Sequence, residues 1–485
     1  MCITGFRFDN SYPHLPSLMY TRHLPVQVPN PRMVIFNVSL AKKLGLHVAD
    51  ANDVQCAHLF SGNRIPPGAD PLAQAYAGHQ FGFFTMLGDG RAIVLGEHRT
   101  PDHQRLDIQL KGSGRTPYSR NGDGKAVLGP MLREYIISES MHALGIPTTR
   151  SLAVVTTGEQ IFRETEQPGA ILTRVAASHL RVGTFQYMAI KGGITGIRTL
   201  VDYALNRHFP EIRENDHPAL MLLQGVMDRQ IDLIVHWMRV GFVHGVMNTD
   251  NITISGETID YGPCAFMDHY AQDTVFSSID HAGRYAFGKQ PEIMQWNLAR
   301  FAETLLPLLH DNPDTAVEMA EETIQTFRGL FNTRWLAMMR KKIGLCDEAP
   351  DDAILVSDLL QWMQQHQADY TQTFRMLNID QVSPEDLYQH EAFKAWHQRW
   401  RERLARHATP SDIAHTHMRS HNPAIIPRNH KVEEALRAAS ENNTMEPLQS
   451  LLSALACPYE DRPEFASYQH PPEIQNPVYQ TFCGT

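Results

Sequence analysis

The sequence predicts an α+β fold in two lobes, a β-rich N-terminal lobe with one key helix and a helical C-terminal lobe, and three stretches predict it. Between residues 83 and 111, short apolar runs are separated by Gly-rich turns and end in Leu106-Asp107-Ile108-Gln109-Leu110-Lys111, which alternates with the period of a strand. Residues 128 to 144 place Leu128, Met131, Leu132, Tyr135 and Ile136 at helical spacing, and Gly145 and Pro147 stop that helix. A long amphipathic stretch at 220–238 and the mostly helical texture beyond about residue 290 supply the second lobe.

Taken in order, residues 1–75 form an N-terminal arm packing on the core. Pro13, Pro16, Pro25, Pro29 and Pro31 forbid a long helix there, and an irregular path is expected. Phe83 to Leu87 and Arg91 to Leu95 predict two strands turning at Gly88-Asp89-Gly90, a hairpin suited to covering phosphates. The next strand delivers Lys111, and the helix after the Gly122-Asp123-Gly124-Lys125 loop carries Glu134, placed to pair with that lysine. Strand-like runs follow at 152–155 and 170–174. The helix at 220–238 then feeds Gly241-Phe242-Val243-His244, and a second hairpin, turning at Ser255-Gly256, sets Asn251 opposite Asp260. Residues 76–290 thus form a catalytic core, 291–455 a helical C-terminal region, and 456–485 an extended tail ending near Cys483.

Within that core, His244-Gly245-Val246-Met247-Asn248-Thr249-Asp250-Asn251 keeps the His and the metal-binding Asn of the protein-kinase catalytic loop at matching spacing, and Asp260-Tyr261-Gly262 stands where the kinase metal-binding tripeptide follows. The fold expected is therefore protein-kinase-like. Val246 occupies the position of the catalytic aspartate. A site with metal ligands but without that acceptor is either a dead kinase or an enzyme with different nucleotide chemistry.

Composition narrows the classes. Fifty-three acidic against 43 basic side chains give a net charge of −10, which argues against bulk attraction to nucleic acid or to an anionic membrane. No run of about 18 apolar residues offers a membrane span. A cytoplasmic protein is expected. The six cysteines show no C-x-x-C pair and no zinc spacing. Cys483, third from the end of a Pro-rich tail, is a candidate redox thiol, with Cys264 beside the metal hairpin as a partner that only geometry can decide.

Several segments together resemble the selenoprotein O family, the YdiU-like proteins: Tyr76-Ala77-Gly78-His79-Gln80-Phe81-Gly82, Leu87-Gly88-Asp89-Gly90-Arg91, Gln109-Leu110-Lys111-Gly112-Ser113-Gly114, Arg120-Asn121-Gly122-Asp123-Gly124, the 244–251 loop and Asp260-Tyr261-Gly262-Pro263. The resemblance covers most of the chain. It implies a pseudokinase that transfers AMP from ATP to Ser, Thr or Tyr hydroxyls of protein substrates, with the nucleotide flipped so that its α-phosphate faces the acceptor and pyrophosphate leaves. It implies ATP contacts from Gly88, Gly90, Arg91, Lys111, Asp123, Gly124, Arg174, Arg181 and Asp260, magnesium or manganese on Asn251 and Asp260, and Asp250 as proton acceptor. Some bacterial members use UTP with manganese, so uridylylation is a secondary expectation. Two alternatives stay open at this point: a conventional phosphotransferase with Asp250 as base, and a non-catalytic nucleotide-binding scaffold, against which intact Asn251 and Asp260 argue.

Overall fold

The computed structural model describes residues 3–51, 53–212, 216–377, 385–406, 411–472 and 479–481. Nine strands form one sheet whose main path runs Tyr20–Arg22, Leu72–Gln80, Ala92–Arg99, Arg105–Lys111, Glu166–Ala176, Arg150–Phe162, Arg32–Phe36. Phe83–Gly88 pairs with Leu72–Gln80, Ala126–Val127 pairs with Glu166–Ala176, and every pairing is antiparallel.

The period of two sorts this sheet into two faces. Ile108, Leu110, Ile171 and Val175 enter a small core beneath Leu40, Leu44, Leu59 and Phe60. Val154, Ala170 and Leu172 point the other way, into the large core with Met131, Leu132 and Ile136 of the helix Leu128–Ala143. Lys111, Gln109 and Arg174 alternate with the first set. They are therefore turned toward the helix and the second lobe.

That lobe is built on the helices Pro218–Arg239, Gln290–Leu309 and Pro313–Lys342, all joined to the large core. The architecture is the protein-kinase-like bilobal α+β fold expected. The C-terminal helices brace the junction between lobes: Arg133, one residue before Glu134, donates to the Cys264 carbonyl at 2.7 Å and pairs with Glu433 at 3.0 Å. Fully buried Arg428 pairs with Asp268 and Asp369, each at 2.6 Å.

Three local expectations change. The proline-rich arm is not wholly irregular: it gives the sheet its two outer strands, Tyr20–Arg22 and Arg32–Phe36, with Pro25, Pro29 and Pro31 in the connection between them, where no ladder donor is needed. Phe83–Gly88 pairs backward with Leu72–Gln80, not forward with Ala92–Arg99. Its turn is Phe81-Gly82, both at positive φ (50° and 89°), the conformation that closes a two-residue hairpin, while Gly88-Asp89-Gly90 is a bend tied to Gln74. Finally, 251–260 forms no two-stranded ladder: Thr253 bridges to Arg181 and Thr258 to Thr148, because the flanking elements supply the partners first.

Candidate active site

Lys111 and Glu134 meet where the strand faces the helix, Nζ to Oε2 at 2.7 Å. The same Nζ lies 2.6 Å from Asp260 Oδ1, and Arg174 Nη2 approaches that oxygen at 2.6 Å while its Nε donates to Glu134 Oε1 at 2.9 Å. Two buried cations are thus clamped between two carboxylates, one from each lobe. Burial works against ionisation of Asp260, yet Arg174, Lys111 and Arg181 together hold its carboxyl well below the usual range. Glu134 is lowered too, against its burial, by Arg174 and Lys111. Both are anionic at neutral pH. Asp260 sits at φ 62°, a left-handed conformation uncommon outside glycine but one that aspartate tolerates better than most residues.

Arg181 forms the next layer. Its guanidinium lies over the Tyr76 ring at 4.4 Å, with Asp89 at 3.9 Å and Asp260 Oδ2 at 4.0 Å. Behind it His179 is fully buried against Asp107, Nδ1 to Oδ2 at 3.0 Å, and burial with the nearby Arg174 and Arg181 lowers its pKa to about 3, keeping the ring neutral.

The loop from His244 is fixed largely by side-chain bonds to backbone. His244 stacks on Trp237 and its Nε2 bonds the Ile259 carbonyl at 2.9 Å. Asn248 Oδ1 accepts from Phe81 N and from the Tyr285 hydroxyl, and Thr249 Oγ1 accepts from His79 N at 2.7 Å. Asn251 Nδ2 donates to the Val246 carbonyl at 2.9 Å, leaving its Oδ1 as the acceptor toward the cavity. Asp250 differs from them all: it is buried and its Oδ1 has no hydrogen-bond partner. Burial raises its pKa to about 6, with Arg181 restraining the rise. Gly78 makes room for this carboxylate, since a Cβ there would lie 2.2 Å from Oδ1.

These groups line a cavity of about 530 Å³ between the lobes. Of the residues singled out in the sequence, Gly90, Arg91, Lys111, Arg174, Arg181, Asp250, Asn251 and Asp260 line it, and Glu134 stands directly behind Lys111. Gly88, Asp123 and Gly124 do not. Asp123 faces away to pair with Arg163 at 2.9 Å, and Gly124 packs against the Gly114 carbonyl. Cys483 lies outside the described residues; Cys264 is buried. Tyr76, Gln80, Asp89, Gln109 and Arg120, which lie in the quoted motifs without an assigned role, also line the cavity. Gln109 was within reach of the sequence reading, because strand alternation places Gln109 on the face that carries Lys111.

The lining suits a polyanion. Besides Asp250 Oδ1, Gln109 Nε2 and Arg181 Nε are buried without partners, and cations outnumber carboxylates around the walls. A hard divalent cation fits the donor set as well. Asn251 and Asp260, both in the cavity lining, carry oxygen donors, and such ions take only one or two protein oxygens when phosphates complete their shell.

Comparison with known proteins places this geometry in context. The family model described as "Protein adenylyltransferase SelO" matches residues 4–456. A protein of Syntrophotalea carbinolica named "Protein nucleotidyltransferase YdiU" is 59% identical over 481 residues, covering 99% of this chain and 98% of its own. Proteins of the same name from Nitrosococcus oceani and Geobacillus kaustophilus are each 57% identical over 481 residues, covering 99% of this chain and 98% and 99% of their own. Among the described residues, no helix is long and apolar enough to cross a membrane.

Proposed function

Because the chain belongs to the SelO family of protein nucleotidyltransferases, we propose that it transfers AMP from ATP to Ser, Thr or Tyr hydroxyls of acceptor proteins, with Asp250 taking the hydroxyl proton. The observation that carries this reading is Asp250 itself: a buried carboxylate with an orphaned oxygen, raised to about 6, beside a cation-lined cavity. A base of that pKa is ionised at neutral pH yet more basic than an ordinary aspartate.

In this scheme the acceptor oxygen attacks the α-phosphorus, the bond from that phosphorus to the bridging oxygen breaks, pyrophosphate leaves, and the proton passes to Asp250. Lys111, Arg174 and Arg181 hold the phosphates as point-charge and forked donors. Gly90 and Arg91 contact them from the bend after Phe83–Gly88. Glu134 keeps Lys111 and Arg174 in place. Magnesium or manganese on Asn251 and Asp260 would add charge stabilisation at the phosphates. Val246, in the usual base position, is apolar and buried, which disfavours γ-phosphate transfer in the kinase manner.

The test uses ATP labelled separately at its α- and γ-phosphates, with magnesium or manganese, and mass spectrometry of the modified protein. Label from the α-position with a gain of one AMP supports the reading; label from the γ-position overturns it in favour of phosphotransfer. Parallel reactions with UTP decide the nucleotide, and a uridylyl adduct in preference to AMP would replace ATP in the scheme.

A further inference from the structure

The hairpin roofing the site continues outward as an unguarded sheet edge. Phe83–Gly88 holds an unbroken register with Leu72–Gln80, from Gln80 opposite Phe83 to Ala75 opposite Gly88. Among the described residues no strand pairs with its outer side. In a two-residue hairpin the pair flanking the turn is hydrogen-bonded and the pairs then alternate. The backbone groups of Phe83, Thr85 and Leu87 therefore face the neighbouring strand, and those of Phe84 and Met86 face outward.

This strand, Phe83-Phe84-Thr85-Met86-Leu87-Gly88, carries no charge, proline or bulge, the devices that keep sheet edges from pairing. The two outer strands of the main path carry Arg22, bonded to Asp70, and Arg32. Phe83 is 79% exposed, and Phe84 and Met86 are exposed as well. Cross-strand partners share a face, so Phe83 and Thr85 extend the row Tyr76, Gly78 and Gln80 that roofs the cavity over Asp250. On the cavity wall Ile279 is another apolar residue left exposed.

We propose that an extended segment of the acceptor protein adds as a further strand to the outer edge of Phe83–Gly88, seating an apolar side chain near Phe83 and Ile279 and feeding its hydroxyl toward Asp250. The proposal rests on the protein-acceptor reading above. An extended segment suits the site because Asp250 is buried in a cavity that must also admit a triphosphate, and a single extended chain needs less width than a helix about 10–12 Å across. The added strand would lie about 10 Å, two strand spacings, from Leu72–Gln80, a gap that about three extended residues span. The modified hydroxyl is thus expected about three residues beyond the docked apolar run.

The experiment uses synthetic peptides in which a Val-Gln-Val-Gln-Val run is followed or preceded by one Thr at one, three, five or seven residues, with scrambled controls of equal composition, and α-labelled ATP. Two variants accompany the parent protein. Met86→Pro removes an outward N–H without touching the native ladder, and Phe83→Ser removes the exposed ring from the edge without adding charge. Support consists of strongest labelling near a three-residue spacing, weak labelling of scrambled peptides, and a rise of about tenfold in peptide KM in both variants with kcat and the KM for ATP unchanged. Equal labelling of ordered and scrambled peptides, or parental peptide KM in both variants, overturns it. So does a parent dimer that either variant dissociates while peptide KM stays unchanged, since the edge would then serve a second copy of the chain. If the parent transfers no α-label to any peptide or added protein while binding ATP, the acceptor reading fails and takes this inference with it.

Discussion

Replacing Asp250 with asparagine separates what that carboxylate does for the reaction from what it does to the fold. Asparagine keeps the shape and the oxygen next to Gly78, where space is limited, but it can neither ionise nor take a proton. Loss of a positioned general base is expected to slow transfer by about 10²- to 10⁴-fold with little change in ATP affinity. Stability should move in the opposite sense. The carboxyl goes from an ordinary 3.8 to about 6 on folding, and at 1.36 kcal/mol for each tenfold change the ionised form costs the native state about 3 kcal/mol. That cost is absent below about pH 3.8, where the carboxyl is protonated folded or unfolded, grows as pH rises to about 6, and is constant above. With an unfolding entropy of about 2.1 cal/mol/K per residue over 485 residues, 3 kcal/mol corresponds to a Tm higher by about 3 °C in the variant at pH 7. Calorimetry of both proteins from pH 4.5 to 8, beside α-label transfer over the same range, measures both quantities. Parental transfer should rise with pH and level off above about 6. A variant that keeps activity within threefold of the parent, or whose Tm advantage at pH 7 is absent or independent of pH, would refute the argument.

Three further outcomes follow from the same geometry. Gly78→Ala sets a methyl group 2.2 Å from Asp250 Oδ1, so the carboxylate must shift; transfer should fall by about 10²-fold while calorimetric ATP binding stays within about threefold. Asp260→Ala removes the carboxylate shared by Lys111 and Arg174 and should abolish transfer, with a loss of stability of about 3–5 kcal/mol from the uncompensated buried cations; near-normal turnover would sink its assignment to the metal. Asp123→Ala breaks a partly exposed pair with Arg163 and a bond from the Lys125 N–H, so unfolding should show a loss of about 1 kcal/mol, and ATP titration should show nearly parental affinity.

Much of the site was legible because its chemistry is written locally. Lys111 closes an alternating strand, Glu134 rides a periodic helix, and the spacing of His244, Asn251 and Asp260 carries the loop; the structure places all five together. Pairing was less legible. Phe83–Gly88 has strand character toward either neighbour, and the choice of the earlier one depends on Phe81-Gly82 taking two positive φ angles, while the Gly88-Asp89-Gly90 stretch offered a stronger turn signal. The arm's outer strands were hidden for a related reason: Tyr20–Arg22 is three residues long, and its conformation is imposed by Leu72–Gln80 and not by its own pattern. The orientation of Asp123 is a tertiary matter too, since it depends on Arg163, 40 residues away.

The division of labour within residues 244–251 separates residues that build the loop from the one that is left for chemistry. His244 meets the Ile259 carbonyl, Asn248 meets Phe81 and Tyr285, Thr249 meets His79 and Gln186, and Asn251 meets Val246. Each has a bond that accounts for its place without any reaction. Asp250 Oδ1 does not, although a buried, unpartnered acceptor destabilises a fold by about 1–3 kcal/mol and removal of its charge would relieve more. The same stretch leads to Asp260 in a left-handed conformation, so two local costs fall on two of the carboxylates that line the phosphate cavity. A scaffold that only binds nucleotide needs the cations and Asp260 but gains nothing from Asp250 in this state. A proton acceptor needs raised basicity beside the phosphates, and Asp250 has it: burial lifts its pKa to about 6, with Arg181 and a side-chain hydrogen bond from Gln80 restraining the rise.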